Sequence, residues 1–309
     1  MQINAIYRRS MIQTMAGKAI RDLRSGGERE LRNVAELCKG RSAASGYQQF
    51  WNRVEDALHR PNQQYGALLS RAANDVDINC LKTLIANLGI HACTNGSEML
   101  RHSCKSGASP VYWMEYMDGV MEPDTLHQTI CDLQRQGASS FLFRVQQETE
   151  LKTVLNIAGK HCQCVFFLIC QAASCCRACL EDMVALGNVI PLIGCGDLAA
   201  LADPLKQAGA LFGFYRGYDE IESLETEEKC LRQLIEMGCF LGVYEGSRQT
   251  TAEKRDLFYY AKLQEIRSRG TEEILLLDLW RDREAVQKWL LYQQVPPDRS
   301  PKRKTAKNT

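Results

Sequence analysis

The chain has 309 residues, of which 45% are hydrophobic and 24% charged, values typical of a globular protein rather than a disordered one. Its 38 lysine and arginine residues nearly balance its 37 aspartate and glutamate residues, so the charge favours neither nucleic acid nor a membrane surface as a partner. The sequence contains neither an export signal nor an apolar run long enough to span a membrane. We therefore expect a cytoplasmic protein whose 14 cysteines are reduced thiols or metal ligands.

The first part of the chain has a helical pattern. In LRNVAELC and in NCLKTLIANLGI, apolar residues recur at intervals of three and four, which places them on one face of a helix. Clusters of glycine and serine separate these segments. We predict a helical N-terminal region over residues 1–105.

A different rhythm begins near Val111, where short apolar runs alternate with helical segments. The predicted strands are VYWMEYM, FLFRV, CVFFLIC, VIPLIG, LFGFYRGY, CFLGVYEG and EILLLDLW. Glycines are predicted to end the intervening helices, namely Gly137, Gly159, Gly187, Gly209, Gly238 and Gly270. One helix start carries a capping box, Thr250 with Glu253 three residues later.

Strands that are apolar on both faces and joined by helices are parallel and covered on both sides. Six or seven such units can close into a barrel or partial barrel, and the same pattern permits an open doubly wound sheet. We assign residues 106–292 to this α/β unit. The remaining residues, 293–309, are proline-broken and basic and are predicted to be a disordered tail.

In parallel α/β barrels the functional site lies at the carboxyl ends of the strands. Polar residues follow the predicted strands here, and several carboxylates with an arginine could hold a small polar ligand or perform acid/base chemistry. The candidate rim consists of Asp118, Glu148, Asp197, Arg216, Asp219 and Glu245. The aromatic residues Tyr215, Tyr218, Tyr244 and Trp280 near the same ends are interpreted as barrel packing.

From about residue 62 to residue 290 the chain resembles the radical S-adenosylmethionine enzymes. The resemblance is carried by the order and spacing of DVDINCLKTLIANLGIHACTNGSEMLR, SPVYWMEYMD, LGNVIPLIGCGDL, LFGFYRGYDE, CFLGVYEG and ILLLDLWRD. It implies a partial (β/α)6 TIM-like barrel preceded by a helical region. It also implies a 4Fe-4S cluster and S-adenosylmethionine as cofactors.

The chain departs from this family at the cofactor-binding positions. The family follows its first strand with cysteines spaced C-x3-C-x2-C, which hold the cluster. The matching stretch here, YMDGVMEPDTL, contains no cysteine. The family's Gly-Gly-Glu-Pro turn corresponds to QQET at residues 146–149, its Thr-Asn-Gly turn to residues 170–172, and two polar cofactor contacts to Gly194 and Gly196.

A displaced metal site is the alternative. Cys170, Cys175, Cys176 and Cys179 lie close together in sequence, and HCQC adds His161, Cys162 and Cys164. Cys176 and Cys179 have ligand-like spacing, but reduced cysteines also form an ordinary apolar helical stripe. His91-x-Cys93 with His102-x-Cys104 forms a second candidate with paired spacing.

We predict a degenerate radical-SAM-like barrel, a non-catalytic protein that binds a small polar ligand or regulates an active family member or another protein. Reductive cleavage of the sulfonium requires an electron from an iron site, which no side chain replaces. The alternatives are an active radical SAM or iron-sulfur enzyme using the cysteines between Cys170 and Cys179, and a metal-free barrel enzyme using the carboxylate rim.

Overall fold

The computed structural model describes residues 2–25, 64–105, 111–117, 119–246, 253–269 and 273–292. These residues form eleven α-helices and seven β-strands. In chain order, the elements are α1 (Gln2–Arg24), α2 (Gln64–Asp75), α3 (Ile78–Leu84), a π-helix (Ile85–Gly96), α4 (Ser97–Lys105), β1 (Met114–Met117), α5 (Pro123–Gln136), β2 (Ser140–Val145), α6 (Glu148–Lys160), β3 (Val165–Cys170), α7 (Arg177–Leu186), β4 (Val189–Gly194), α8 (Cys195–Ala208), β5 (Gly213–Gly217), α9 (Leu224–Glu236), β6 (Leu241–Glu245), α10 (Glu253–Arg269), β7 (Leu275–Asp278) and α11 (Leu279–Tyr292).

The seven strands form one parallel sheet in the order β1 to β7. All seven predicted strands are present, so the expected count of six for the partial barrel is wrong by one. The seventh strand is real because Leu275–Asp278 pairs in parallel with β6. A doubly wound sheet reverses its strand order at a switch point, and this sheet does not, which excludes the open alternative.

The sheet curls into a half-barrel. Arg144 on β2 contacts both Tyr215 on β5 and Glu245 on β6. In a flat sheet β2 and β6 would lie about 19 Å apart, at about 4.8 Å for each strand spacing. The contact across four spacings is therefore possible only because the sheet bends around a concave face.

Helix α11 contacts β1, the edge strand of the described sheet, and the residues that lead into it. The Gln287 side chain accepts a hydrogen bond from the Trp113 main-chain N–H at 2.9 Å and donates one to the Val111 carbonyl at 2.8 Å. The Trp113 indole donates to the Arg283 carbonyl at 3.1 Å. Arg283 also pairs with Glu115 at 3.2 Å. The side chains of α11 thus satisfy main-chain groups of the residues just before β1.

Local sequence explains where helices begin and end. Helix α5 starts with Pro123 at its first position and with the Glu122 carboxylate accepting from Asp124 N–H at 3.0 Å, and it ends at Gly137 with φ of 109°. A β-carbon on Gly137 would lie 2.5 Å from the Gly96 carbonyl oxygen. Both the positive φ and this close approach therefore require glycine at this position.

The other predicted helix-ending glycines have mixed outcomes. Gly187 and Gly209 end α7 and α8 in the left-handed conformation, and Gly238 has a φ of 98° just after α9. Gly159 was expected to end its helix, but α6 continues through it to Lys160. Gly270, Thr250 of the expected capping box, and the tail at 293–309 lie outside the described residues.

The N-terminal helices pack against the concave face of the sheet. Ile20, Leu23, Ala73 and Leu81 share one hydrophobic core with inward residues of the strands, among them Phe167. The opposite face of the sheet forms a second core with helices α5 to α11. Strands β2 to β6 are therefore buried on both sides, which is why their sequences are apolar without alternation.

The segment from α2 to α4 also follows the amino-terminal edge of the half-barrel. Arg71 donates to the carbonyls of Cys239 and Glu273, which precede β6 and β7. Further along, the Asp77 N–H donates to the Gly209 carbonyl before β5, and Asn87 donates to the Cys162 and Cys164 carbonyls before β3. The amino-terminal end is thus covered, whereas at the carboxyl ends of the strands the described residues include a partly exposed charged side chain, Arg144. None of the described helices combines the length and apolar character that crossing a bilayer needs.

Candidate functional site

Three polar side chains meet on the concave face at the carboxyl ends of the strands. The Arg144 guanidinium donates to the Tyr215 hydroxyl at 2.7 Å and pairs with the Glu245 carboxylate at 2.9 Å. The Tyr215 hydroxyl also donates to Glu245. We call Arg144, Tyr215 and Glu245 the mouth network. It draws together β2, β5 and β6.

The mouth network is charged and partly open to solvent. The side chain of Arg144 is 38% exposed and that of Glu245 is 16% exposed. Partial burial alone would lower the pKa of Arg144, but hydrogen bonds to Tyr116 and Tyr215 and the charge of Glu245 outweigh burial and raise it. Burial, together with the hydrogen bond to Glu245, raises the pKa of Tyr215. At neutral pH the network therefore holds a guanidinium and a protonated phenol.

Aromatic rings and glycines flank the mouth network. Tyr116 on β1 meets Trp280 edge-on, with ring centroids 5.5 Å apart. On the other side, Gly194 is the register partner of Tyr215, and a β-carbon on Gly194 or Gly196 would find no atom within 4 Å. The structure therefore leaves open space beside the polar groups.

Arg216, a predicted rim residue, points to the opposite face of the sheet. Because side chains alternate along a strand, the neighbour of an inward Tyr215 must point outward. Arg216 pairs there with Glu227 at 2.6 Å, and Glu227 also accepts from the Tyr244 hydroxyl at 2.5 Å. Glu227 is only 5% exposed. This network lies between the sheet and α9, so its evident role is to join them.

The other predicted rim residues lie on separate elements. Glu148 is the first residue of α6 and pairs with Lys152 at 2.7 Å. Asp197 lies in the first turn of α8, and Asp219 is exposed just after β5. Asp118 lies outside the described residues. Of the six candidates, only Glu245 belongs to the mouth network, and ligand binding by the set as a whole stays a prediction.

The four cysteines considered for a displaced cluster form two pairs. The interaction with Cys175, together with burial, raises the pKa of Cys170, and the same interaction lowers the pKa of Cys175. The Cys170 thiol donates to the Leu168 carbonyl at 3.4 Å. Cys176 lies at the N-cap of α7 and its sulfur is 3.2 Å from that of Cys179. Burial and this contact raise the pKa of Cys179 to about 12.

The connection in which the family resemblance places a 4Fe-4S cluster has no thiol to hold it. In this family three thiolates hold such a cluster, each bound to a different iron atom. Among the described residues, potential ligand atoms gather within 4.8 Å in two groups, His127 with Cys131 and His161, and Glu148 with Cys176 and Cys179. Neither group has more than two thiols. The connection from β1 to α5, residues 118–122, has none in its sequence.

The first of these groups lies on the outer helical layer and was not predicted from the sequence. His127 Nδ1 is 2.8 Å from His161 Nε2, and Cys131 Sγ is 3.9 Å from His127 Nε2. Burial lowers the pKa of His161 to about 4, so this imidazole is neutral. Two features of the sequence could have indicated this group: His127 and Cys131 are one helical turn apart, and His161 begins the segment HCQC. The paired His-x-Cys candidate stays a prediction, since the side chain of Cys93 is outside the described part of the chain.

Sequence reasoning also missed two members of the mouth network. Arg144 is the single charged residue in the strand FLFRV, and such a residue in a buried strand is itself a signal of a polar site. Tyr215 was interpreted as packing. Its ring does lie against Arg144, 5.0 Å from the guanidinium carbon, but its hydroxyl completes the network.

Comparisons with known proteins give little. No family model matches the chain, and no curated protein does. The chain is similar to a solved structure described as the crystal structure of oxaloacetate acetylhydrolase, with 12% identity over 65% of this chain and 88% of that chain and a TM-score of 0.34. A likeness of that size carries no argument about what this chain does.

Proposed function

We propose that this chain is a non-catalytic half-barrel that binds a small polar ligand at the mouth network, and that it is a degenerate relative of the radical S-adenosylmethionine enzymes. The observation that carries the binding proposal is the placement of Arg144, Tyr215 and Glu245 in one network at the carboxyl ends of the strands. This is the end at which parallel barrels bind their ligands.

The energetics of burial support a binding role. Moving charged groups out of water is costly, and a well-packed apolar substitute is often at least as stable as a buried ion pair. Inward residues deeper in the same face, such as Phe167 and Leu192, are apolar and belong to the core. The charges of Arg144 and Glu245 on the concave face are thus unnecessary for packing. They are useful for binding a polar ligand.

The chemistry of the network points to a ligand with both a carboxylate and an amino group. A guanidinium binds a carboxylate through two parallel hydrogen bonds, and Glu245 offers an acceptor for an ammonium group. The rings of Tyr116 and Trp280 provide an apolar wall beside these groups. A small amino-acid-like molecule matches this combination, and the open space beside Gly194 gives it room.

The lack of cysteine where the family binds its cluster supports the proposal that this chain performs no radical chemistry. The connection from β1 to α5 spans residues 118–122 and has no cysteine in its sequence. Without an iron atom to deliver an electron, S-adenosylmethionine bound here could not be cleaved reductively to a radical. In this proposal the half-barrel acts as a sensor or regulatory partner, for example of an active relative.

Calorimetric titration with methionine, S-adenosylmethionine and other small amino acids tests the binding proposal. We expect at least one to bind and Tyr215→Phe to weaken it about tenfold, the effect of about 1.4 kcal/mol from one lost hydrogen bond to a charged group. Arg144→Gln should abolish binding, and Arg177→Gln, which changes a side chain 92% exposed, should have no effect.

Two results would count against the proposal. Failure of every such ligand to bind, or equal affinity in Arg144→Gln and the unmodified protein, would remove the mouth network from consideration. Stoichiometric iron and acid-labile sulfide after anaerobic purification, with visible absorbance that dithionite bleaches, would favour an iron-sulfur enzyme instead. Circular dichroism melts of each variant separate lost binding from lost folding.

A further inference from the structure

A cluster of two histidines and a cysteine lies on the outer helices. His127 and Cys131 are one turn apart on α5, and His161 follows the last residue of α6. One ring nitrogen of each histidine and the Cys131 sulfur lie within 4.8 Å of one another. This cluster shares no residue with the mouth network. The inference drawn from it therefore does not depend on the proposed function.

A second layer of side chains fixes the orientation of His161. The Nδ1 of His161 is 2.6 Å from the Gln134 amide oxygen. The orientation of that amide is set in turn, because its nitrogen donates to the Cys164 sulfur at 2.8 Å. An amide oxygen can only accept, so His161 carries its proton on Nδ1. The lone pair on Nε2 is therefore directed at His127, 2.8 Å away.

This arrangement is the one that metal-binding histidines adopt. A ligating imidazole almost always donates its other ring N–H to a carboxylate, a carbonyl or water, which fixes the tautomer and raises the basicity of the ligating nitrogen. Gln134 performs that role here. The Cys131 thiol, which contacts Nε2 of His127, adds a third potential ligand to the histidine pair.

The spacing of the three donors suits a small tetrahedral ion. Bond lengths of about 2.0 Å to nitrogen and 2.3 Å to sulfur place ligand atoms about 3.3 to 3.6 Å apart. One nitrogen of each histidine and the Cys131 sulfur lie within 4.8 Å of one another, so the donors need to move closer together to bind one ion. The contacts of 2.8 Å to His161 and 3.9 Å to Cys131 are made by different ring nitrogens of His127, Nδ1 and Nε2. Since only one His127 nitrogen can bind the ion, a turn of that ring with smaller movements of His161 and Cys131 would bring the three donors around one centre.

We propose that His127, Cys131 and His161 form a zinc-type site, with two imidazole nitrogens, one thiolate and a fourth position open to water. Two nitrogens and a sulfur favour Zn²⁺ over Mg²⁺ or Ca²⁺, which prefer oxygen ligands. His127 and Cys131 are partly exposed, so an ion can enter from solvent. Binding releases the thiol proton of Cys131, and one imidazole exchanges its hydrogen bond for a bond to the metal.

Titration of chelator-treated, reduced full-length protein with Co²⁺ tests the site. We expect one equivalent to bind with a thiolate-to-cobalt charge-transfer band and the visible bands of tetrahedral cobalt, and Zn²⁺ to displace it. Cys131→Ser should lose the charge-transfer band and weaken binding at least tenfold. Cys162→Ser is the matched control, since Cys162 is an exposed thiol next to His161 that lies outside the cluster, and it should leave the spectrum unchanged.

The spectrum also identifies a wrong assignment. Absence of saturable binding would overturn the proposal. So would a charge-transfer band that persists in Cys131→Ser, since the metal would then occupy other thiols, such as Cys176 with Cys179. If Cys131→Ser does not fold, X-ray absorption of the zinc-loaded unmodified protein decides: two imidazoles and one sulfur support the site, and two or more sulfurs or none refute it.

Discussion

The contact between α11 and the residues just before β1 gives the sharpest prediction of stability. Gln287 is 5% exposed and bonds two main-chain groups of the residues just before β1, the Trp113 N–H and the Val111 carbonyl. Gln287→Leu keeps a side chain of similar size and removes both hydrogen bonds. The change therefore isolates the polar contribution from packing.

The expected loss follows from the two groups left without a partner. Each buried polar group that loses its hydrogen bond costs about 1–3 kcal/mol. With partial recovery from the added apolar contact, we expect the free energy of unfolding to fall by about 2–4 kcal/mol. Such a loss is a substantial part of the total stability of a typical domain.

Urea unfolding followed by circular dichroism measures this difference, with the denaturant dependence checked for equal slopes. Lys288→Ala is the matched control on the same helix, because Lys288 pairs with Glu284 on the surface and its side chain is 65% exposed. That variant should change stability by less than about 0.5 kcal/mol. A Gln287→Leu variant as stable as the control would refute this contribution of Gln287.

Three further predictions concern other parts of the fold. Oxidation with diamide, which accepts the two thiol hydrogens, should join Cys176 to Cys179 in a disulfide detected by peptide mass mapping, and a different partner for Cys179 would contradict the observed pairing. Gly137→Ala should lower the free energy of unfolding by about 3 kcal/mol or more through both strain and collision, whereas Gly119→Ala, also at positive φ but in open space, should cost about 1 kcal/mol. Glu227→Gln leaves a buried guanidinium without its counter-charge and should cost about 3 kcal/mol in urea unfolding, and an unchanged midpoint would show the pair to be dispensable.

Much of the fold could be predicted from local pattern. Runs such as CVFFLIC and VIPLIG are too apolar for any strand that faces water, and positive-φ glycines such as Gly137 and Gly209 end helices where the pattern indicated. The strand count was less certain, because the last run merges with a helix: Asp278 ends β7 and Leu279 begins α11.

The candidate site was harder to predict, for a physical reason. Strands buried on both faces lack alternation, so the sequence GFYRG does not reveal whether Tyr215 or Arg216 points inward. A set of polar residues chosen because each follows a strand therefore contains residues from both faces of the sheet. Only the curvature of the sheet, a long-range property, brings Arg144 to Glu245 across four strand spacings.

The path of the N-terminal helices along the amino-terminal edge has a consequence during synthesis. The partners of Arg71 are made 168 and 202 residues later. Until the ribosome has released β6 and β7, the apolar faces that carry Leu23 and Leu81 have no completed sheet to cover them. We expect the nascent chain to fold slowly and to depend on chaperones that hold these early helices, because contacts between distant residues form late.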